Sequence, residues 1–486
     1  MKVVVINGSP KGEYSITLQT LLYIQKKFPQ CDFVFHHVGS RIRAYERDMS
    51  GVLADLADAD LLLFSYPVYT FLVPSQLHRF VELLCAAVEE GRIDLRGRYV
   101  SQVTTSKHFY DVTAHTFIRE NMQDLGMCYV KGLSADMSDL TTEAGQRQAR
   151  DFFRYVCWCR KKGYCEEEDA RRREAVCPAS EDGSTENGAK CASSEMVPKV
   201  LEPGSQVCDS TFAVHAADSA TCISDYSKSD SAALPAVIVT DCTPADEELA
   251  GMIRSFREKL ALPSVVYNLR DYEIKGGCLG CLRCAATGQC IYKDEYQELL
   301  RQVHSGCGIV YAFRIRNHSM GSLFKTFDDR QFCNGHRTVT MGSPVGYLVC
   351  GDYAEESNLR MVIEARAETG GNFFAGAASC EAQVCRVAET FCYAVRHRYA
   401  PPSNFYGVGG MKIFRDLIYE MRGFMKADHE FFKTHGQYDF PHKNKGNTAL
   451  MYVVGAMMSS EKMRKKIGNK MNEGMLAPYR KVLEEE

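Results

Sequence analysis

Short apolar runs alternate with amphipathic stretches over residues 1–163. The apolar, β-rich runs predict five strands, at 2–6, 32–38, 60–66, 97–106 and 126–132. The stretches between them carry apolar residues at helical spacing, and a last helical pattern closes the unit at 143–163. Strands that alternate with helical crossovers pair in parallel, so the pattern predicts an α/β fold with a doubly wound parallel sheet of five strands.

The same alternation returns in the second half of the chain. Predicted strands lie at 234–241, 264–270, 307–313, 345–351 and 372–378, with helical patterns between them. This half repeats the architecture of the first half without obvious sequence identity. We therefore predict two tandem domains of the same type, at 1–163 and 235–399.

The stretch between the two predicted domains has a different composition. Residues 165–234 are rich in Ser, Glu, Ala and Gly and have no apolar period. Such a segment cannot bury enough apolar surface to offset the entropy of ordering, so we predict a flexible linker at 164–234. After Pro401 and Pro402 the pattern becomes helical and basic-amphipathic, which predicts a C-terminal helical extension at 400–486.

Charge and cysteine content narrow the classes of function. The formal net charge of −3 gives no reason to expect nucleic acid or an anionic membrane as a partner. The first apolar run spans only Val3 to Ile6 and nowhere do eighteen apolar residues run together, so we expect a cytoplasmic protein. The 21 cysteines are odd in number and lie in a long chain, which favours reduced thiols with a metal or redox site over a disulfide framework.

A polar loop that contains glycine follows the first predicted strand. Residues 6–20, INGSPKGEYSITLQT, permit a tight turn at Gly8 and lead into a helix, whose free N–H groups attract phosphate. Hydroxyls and one ammonium group complete this candidate phosphate site: Ser9, Lys11, Ser15 and Thr17. The spacing is neither the dinucleotide glycine pattern nor a P-loop, which argues against a tightly bound dinucleotide or NTP. The alternative is an ordinary turn with a capping serine.

Two more candidate loops fall at the same edge of the predicted sheet. The loop after the third strand offers a stiff proline and flat aromatic surfaces: Pro67, Val68, Tyr69, Thr70 and Phe71. The loop after the fourth strand is dense in hydroxyl, imidazole and aromatic groups: Thr104, Thr105, Ser106, Lys107, His108 and Tyr110. Ligands of a doubly wound sheet bind at the carboxyl ends of its strands, so three such loops at one edge favour a binding site.

The three loops, GSPKGEYSITLQ, PVYTFLVPSQLHRF and TTSKHFYD, resemble the FMN-binding loops of the flavodoxin-like NAD(P)H-dependent FMN oxidoreductases. This family includes the FMN reductases and the iron–sulfur flavoproteins. The resemblance implies two flavodoxin-like sheets and FMN as cofactor. The first loop would then bind the FMN phosphate, while Pro67 to Phe71, Thr104 to His108, and Tyr110 would line the isoalloxazine ring. Relatives of this kind form dimers or tetramers, so the analogy also predicts a homo-oligomer.

Four cysteines lie close together after the second strand of the second domain. They are Cys278, Cys281, Cys284 and Cys290, in the spacing Cys-x2-Cys-x2-Cys-x5-Cys. Three cysteines spaced by two can fold around one face of a [4Fe–4S] cluster, and the motif is similar to that of the iron–sulfur flavoproteins. A thiol redox site and a zinc site are the alternatives, although structural zinc more often uses two separated Cys-x2-Cys pairs.

The two predicted domains have complementary motifs. Where the first domain has its phosphate loop, the second reads VTDCTPADEEL, whose carboxylates would repel phosphate, so we infer that its flavin site is lost. Conversely, the first domain lacks the cysteine motif. This pattern leads to the hypothesis that a cluster at Cys281 lies within electron-transfer reach of a flavin at Tyr69 of the same or a neighbouring chain.

These patterns predict an FMN-dependent oxidoreductase. Electrons would pass from NAD(P)H, or from a ferredoxin-type carrier, through FMN to a quinone, a flavin or another small acceptor. The alternatives are an electron-transfer carrier or a redox sensor without substrate turnover. The sequence identifies no catalytic acid or base: His108 either bonds the flavin edge or is structural, and His115 is expected at the surface or in the core.

Overall fold

The computed structural model describes residues 1–166, 234–334, 336–400 and 402–438, and also residues 446, 449, 450, 452 and 453. The predicted linker at 164–234, with four of its five cysteines, lies almost entirely outside the described residues, and so does most of the predicted extension beyond Tyr438. The described residues between 1 and 429 form one compact unit. The second unit starts at Glu430, and its described part begins with the end of the helix Lys426–Thr434.

The first sheet is parallel and contains six strands. They are β1 (Lys2–Asn7), β2 (Asp32–His36), β3 (Leu61–Pro67), β4 (Tyr99–Ser106), β5 (Cys128–Tyr129) and β6 (Leu133–Asp136). The order is β2-β1-β3-β4-β5, and β6 pairs with the end of β4. The prediction of one continuous strand at 126–132 is therefore wrong. Two short strands, β5 and β6, take its place at the edge of the sheet. At this interruption Gly132 lies so close to Gln102 that a Cβ would come within 2.5 Å of its side chain.

The second sheet repeats this arrangement with five parallel strands. They are β7 (Ala236–Thr240), β8 (Ser264–Asn268), β9 (Gly308–Arg314), β10 (Pro344–Cys350) and β11 (Phe373–Ala378), in the order β11-β10-β9-β7-β8. In each sheet the first strand lies between the second and the third, which is the flavodoxin-like order, and ligands bind at this switch point. The predicted fold class of two tandem flavodoxin-like sheets is confirmed.

Helices cover both faces of the two sheets. In the first half they are α1 (Ile16–Lys27), α2 (Val38–Arg47), α3 (Ser50–Ala57), α4 (Ser75–Glu89), α5 (Asp111–Asp124) and α6 (Glu143–Lys162). In the second half they are α7 (Glu247–Lys259), α8 (Arg283–Thr287), α9 (Tyr296–Val303), α10 (Ser322–Arg330), α11 (Ser357–Thr369) and α12 (Glu381–His397). Two further helices follow, α13 (Phe405–Glu420) and α14 (Lys426–Thr434). In the part of the chain that the structure describes, no helix is both long and apolar enough to cross a membrane.

Helices α4 and α10 join the two halves by capping each other. The backbone N–H of Ser75, at the start of α4, donates to Asp329 Oδ2 on α10 at 2.7 Å. In return, the backbone N–H of Ser322, at the start of α10, donates to Glu82 Oε1 on α4 at 2.6 Å. Each carboxylate satisfies an N–H group that its partner helix leaves unpaired. This reciprocal contact fixes the two sheets against each other, and one apolar core cluster contains buried residues of both halves.

Candidate cofactor site

The predicted phosphate loop is held open by its own hydrogen bonds. The side-chain amide of Asn7 donates to the carbonyl of Gly12 at 2.9 Å, and its oxygen accepts the backbone N–H of Ser9 at 3.2 Å. The loop ends at Ser15, whose hydroxyl caps helix α1 by accepting the N–H of Leu18 at 3.4 Å. The N-terminus of α1 therefore lies directly behind the hydroxyl groups of the loop, as an anion site requires.

The loop after β3 makes a tight turn that is braced from the second sheet. Tyr69 and Leu72 exchange backbone hydrogen bonds of 2.8 and 3.0 Å, while Thr70 and Phe71 between them adopt positive φ angles of 42° and 69°. Lys325 of α10 is fully buried, and its Nζ donates to the carbonyl of Tyr69 at 2.8 Å. The strained turn thus depends on a residue that is 256 positions away along the chain.

The loop after β4 turns part of its polar side chains away from the first loop. Thr105 lies 2.5 Å from Thr17, hydroxyl to hydroxyl, which joins the two loops. Thr104 instead contacts His115 Nε2 at 2.8 Å, and burial lowers the pKa of His115 to about 4, so this imidazole is a neutral core group. His108 is half-exposed and bonds Asp111 at 2.9 Å.

The cysteine loop of the second half lies against the loop after β3. Gly280 has a φ of +60°, and a Cβ built on it would come within 2.0 Å of the Tyr69 hydroxyl oxygen. The side-chain amide of Gln76, on α4, donates to the carbonyl of Cys278 at 3.3 Å. The structure therefore places the neighbour of Cys281 in contact with Tyr69 within one chain, which is the proximity that the two-centre hypothesis requires.

Several of the nearby thiols are buried, and burial raises their pKa values. It raises the pKa of Cys278 to about 12 and that of Cys284 to about 11. The Cys284 thiol donates to the carbonyl of Phe332 at 2.8 Å. Cys333, next to Phe332, is also buried, and burial raises its pKa to about 12. The sequence motif did not include this fifth cysteine, which comes from a separate loop.

One cavity of about 260 Å³ lies between these elements. The predicted cofactor residues that line it are Ser9, Lys11, Ser15, Thr17, Pro67, Val68, Tyr69, Thr70, Thr105, Ser106 and Lys107. Of the predicted metal ligands, Cys278 and Cys284 line it as well. The remaining predicted site residues are not part of the lining: Phe71, Thr104, His108, Tyr110, Cys281 and Cys290.

The opposite wall of the cavity was not predicted. It includes Phe332 and His336 from the loop after α10, and Ile413, Phe414 and Leu417 from α13. The three residues of α13 lie at helical spacing and form an apolar stripe, but the sequence does not show which surface that stripe covers. Helix α13 is fixed here because Tyr110 donates its hydroxyl to the carbonyl of Tyr406 at 3.0 Å and Phe414 packs on Phe109.

In the second sheet, the loop between β7 and α7 holds a carboxylate that pairs with an arginine of the same half. Arg314 Nε lies 3.0 Å from Asp246 Oδ1, and the backbone N–H of Thr243 donates to Asp246 Oδ2 at 3.0 Å. Hydrogen bonds from Thr243 lower the pKa of Asp246 to about 2, so this carboxylate stays charged. A charged carboxylate at the end of this loop, directly before α7, agrees with the inference that no phosphate binds there.

Comparisons with known proteins agree with the family resemblance of the three loops of the first half. Residues 1–138 match the family model described as NADPH-dependent FMN reductase. An iron–sulfur flavoprotein from Archaeoglobus fulgidus is 33% identical over 72 residues, which are 15% of this chain and 33% of that protein. The match thus spans about a third of the length of this curated relative.

Solved structures of similar fold align with about a third of the chain. General stress protein 14 from Treponema denticola, in complex with FMN, is 14% identical with a TM-score of 0.27, and the match covers 32% of this chain and 99% of that one. An NAD(P)H:quinone oxidoreductase from Methanothermobacter marburgensis is 14% identical with a TM-score of 0.25, and the match covers 35% and 99%. The resemblance inferred from the three loops is confirmed in sequence: residues 1–138 are similar to the NADPH-dependent FMN reductase family.

Proposed function

We propose that the protein is an NAD(P)H-dependent FMN oxidoreductase that passes electrons to a quinone, a flavin or another small acceptor. The observation that carries this proposal is the single cavity that joins all three predicted loops of the first sheet. The match of residues 1–138 to the FMN reductase family supports the same cofactor. A ferredoxin-type carrier is the second donor that the cysteine motif would allow.

The side chains around the cavity suit FMN. The first loop supplies hydroxyls, the ammonium group of Lys11 and the N-terminus of α1, which together favour a phosphate dianion. Tyr69, Phe332 and Phe414 supply flat apolar surfaces for a planar ring. Bound flavin supplies hydride and single-electron transfer, whereas the protein holds the ring and limits the access of water.

We further propose that Cys278, Cys281, Cys284 and Cys290 hold a [4Fe–4S] cluster. Four thiols in a compact loop are the donor set that such a cluster uses. Structural zinc more often uses two separated Cys-x2-Cys pairs, so the spacing of the motif favours a cluster over zinc.

The proposal is tested by purifying the protein without oxygen and measuring its cofactors. We expect one FMN with about four irons and four sulfides per chain. Flavin without iron would refute the cluster and leave the flavin oxidoreductase. Absence of flavin would refute the whole proposal. Retained FMN without oxidation of NADH or NADPH, with menadione as the acceptor, would identify an electron carrier instead of an enzyme.

The predicted phosphate contact provides a matched pair of variants. Lys11→Ala removes a charge-assisted contact worth about 1.5–3 kcal/mol, so the Kd for FMN should rise at least about tenfold. Lys26→Ala removes the same charge from the last turn of α1 and should leave the Kd unchanged. Equal Kd values for the two variants would place the phosphate elsewhere.

A further inference from the structure

A buried carboxylate fixes the imidazole ring of His336. Nδ1 of His336 lies 3.2 Å from Asp428 Oδ2, and the backbone N–H of His336 donates to the same oxygen at 3.3 Å. The side chain of Asp428 is fully buried. A carboxylate on Nδ1 orients the ring and selects one tautomer. The nitrogen left to exchange a proton is therefore Nε2.

This imidazole lies at a boundary between two cavities. It packs edge-on against Phe332 and Phe414, with ring centroids 5.9 and 4.9 Å away. His336 lines the candidate cofactor cavity, and it also lines a neighbouring cavity of about 140 Å³. Thr70, Phe332 and Phe414 are shared in the same way. The ring thus lies between the two cavities and lines both of them.

We propose that His336 is the catalytic acid of acceptor reduction and that Asp428 is its positioning residue. This inference rests on the proposed function. Reduction of a quinone to a hydroquinone takes up one hydride, which carries two electrons, and one proton. The hydride is what bound flavin supplies. The proton leaves Nε2 of the His336 imidazolium for the quinone oxygen, which leaves a neutral imidazole that solvent in the second cavity protonates again.

Arg337 shares the carboxylate of Asp428, with its Nε 3.4 Å from Oδ1. The other ionisable groups around the ring are engaged elsewhere or are poor proton donors. Asp328 and Arg366, in the second cavity, form an ion pair of 2.6 Å. Burial raises the pKa of Tyr69 well above its usual value. The charged or ionisable side chains that face the ring or line its two cavities are Lys11, Tyr69, Lys107, Cys278, Cys284, His304, Tyr311, Asp328, Arg337, Tyr347, Arg366 and Asp428.

The test compares two acceptors that differ in their need for a proton. Menadione takes up a hydride and a proton, whereas ferricyanide takes up one electron and no proton. General acid catalysis contributes about 100-fold or more. His336→Gln should therefore lower the ratio of menadione turnover to ferricyanide turnover about 100-fold. The matched control is His397→Gln, an exposed histidine at the end of α12, which should leave the ratio unchanged. An unchanged ratio in His336→Gln would overturn the proposal.

A second variant guards against misfolding. His336→Ala leaves space for free imidazole, and added imidazole should restore menadione turnover without changing ferricyanide turnover. Rescue by imidazole supports a proton-transfer role, whereas a folded variant that binds FMN and is not rescued contradicts it. Loss of FMN from the wild-type protein would instead refute the proposed function, so the two failures can be told apart.

A spectroscopic readout tests the role of Asp428 independently of turnover. Long-range ¹H–¹⁵N NMR of the ring nitrogens should show a proton on Nδ1 of His336 at every pH at which the fold is intact. In Asp428→Asn an amide replaces the carboxylate that accepts from Nδ1, so the neutral ring should no longer hold its proton on Nδ1 alone. An identical distribution of the proton over the two ring nitrogens in both proteins would show that Asp428 does not act through this histidine.

Discussion

The contact between the cysteine loop and Tyr69 requires glycine at position 280. Its φ of +60° disfavours any side chain by about 1 kcal/mol, and a Cβ would lie 2.0 Å from the Tyr69 hydroxyl oxygen. Gly280→Ala should therefore displace Tyr69 and raise the Kd for FMN about tenfold, which is measured by fluorescence titration of the apoprotein.

Gly288 provides the matched control for this substitution. It also has a positive φ, of +74°, but the nearest atom to an added Cβ is the end of the Arg337 side chain at 3.6 Å. Gly288→Ala should carry the same backbone cost and lower the melting temperature without changing the Kd. If both variants bind FMN equally well, contact between the cysteine loop and Tyr69 has no role in cofactor binding.

His318 joins the two sheets through a charged contact that depends on pH. Its ring lies 3.0 Å from Glu356, which precedes α11, and it also bonds Asp124 at the end of α5. Burial alone would lower the pKa of His318, but the bonds to the two carboxylates outweigh it and raise the pKa to about 9. Glu120 lies in the same cluster.

The raised pKa of His318 predicts a loss of stability in alkali. Since the folded state holds this proton more tightly than an unfolded histidine with a pKa near 6.5, the contribution is complete below about pH 6.5 and disappears as pH rises through 9. At most it is worth about 3 kcal/mol. His318→Gln should therefore destabilise the protein in urea melts at pH 6.5 and have little effect at pH 10. A pH-independent difference would contradict this assignment.

Helix α10 both stabilises the fold and positions the loop after β3. Lys325 and Asp329 form an ion pair with fully buried side chains, and Lys325 also holds the carbonyl of Tyr69. Asp329→Asn leaves the lysine charge buried without a counterion, which should cost about 3–5 kcal/mol of unfolding free energy. The double variant Lys325→Met/Asp329→Asn removes both charges and should recover most of this loss.

The double variant separates stability from cofactor binding. It restores a neutral helix contact but has no donor for the Tyr69 carbonyl, so we expect weaker FMN binding in a protein of nearly normal stability. Unfolding in urea and titration with FMN measure the two quantities. Recovery of both together would show that Lys325 acts on stability alone.

The sequence predicted the elements that follow from local pattern. The strands were visible as apolar runs, and the rule that parallel strands end at one edge brought Lys11, Tyr69 and Thr105 together correctly. The sequence did not show that the side chains of His108 and Tyr110 lie outside the cavity lining. Both residues have positive φ angles. The conformation of Tyr110 accompanies a tertiary contact with Tyr406, whereas His108 bonds the nearby Asp111.

The second wall of the cavity escaped prediction because it depends on how the two halves dock. Reciprocal capping of α4 and α10 uses Ser75, Glu82, Ser322 and Asp329, and each of these alone reads as an ordinary helix residue. Once the halves are docked, the cysteine loop and α13 close over the loops of the first sheet. The site therefore combines elements of both halves of one polypeptide, and the homo-oligomer stays a prediction.

The contact between the halves predicts that two separate chains, one for each half, bind FMN normally when both are present. It also predicts that the first half binds FMN weakly when it is alone. Residues 1–166 by themselves lack Lys325, Gly280 and α13, so their Kd for FMN should be at least about tenfold higher, equivalent to about 1.4 kcal/mol. Co-expression with residues 234–438 should restore the affinity, because the capping contacts need no covalent link. The control is the full chain with a protease site inserted between residues 166 and 234, whose cleavage should leave the Kd unchanged. Full affinity in the isolated first half would mean that its three loops bind FMN without the second sheet.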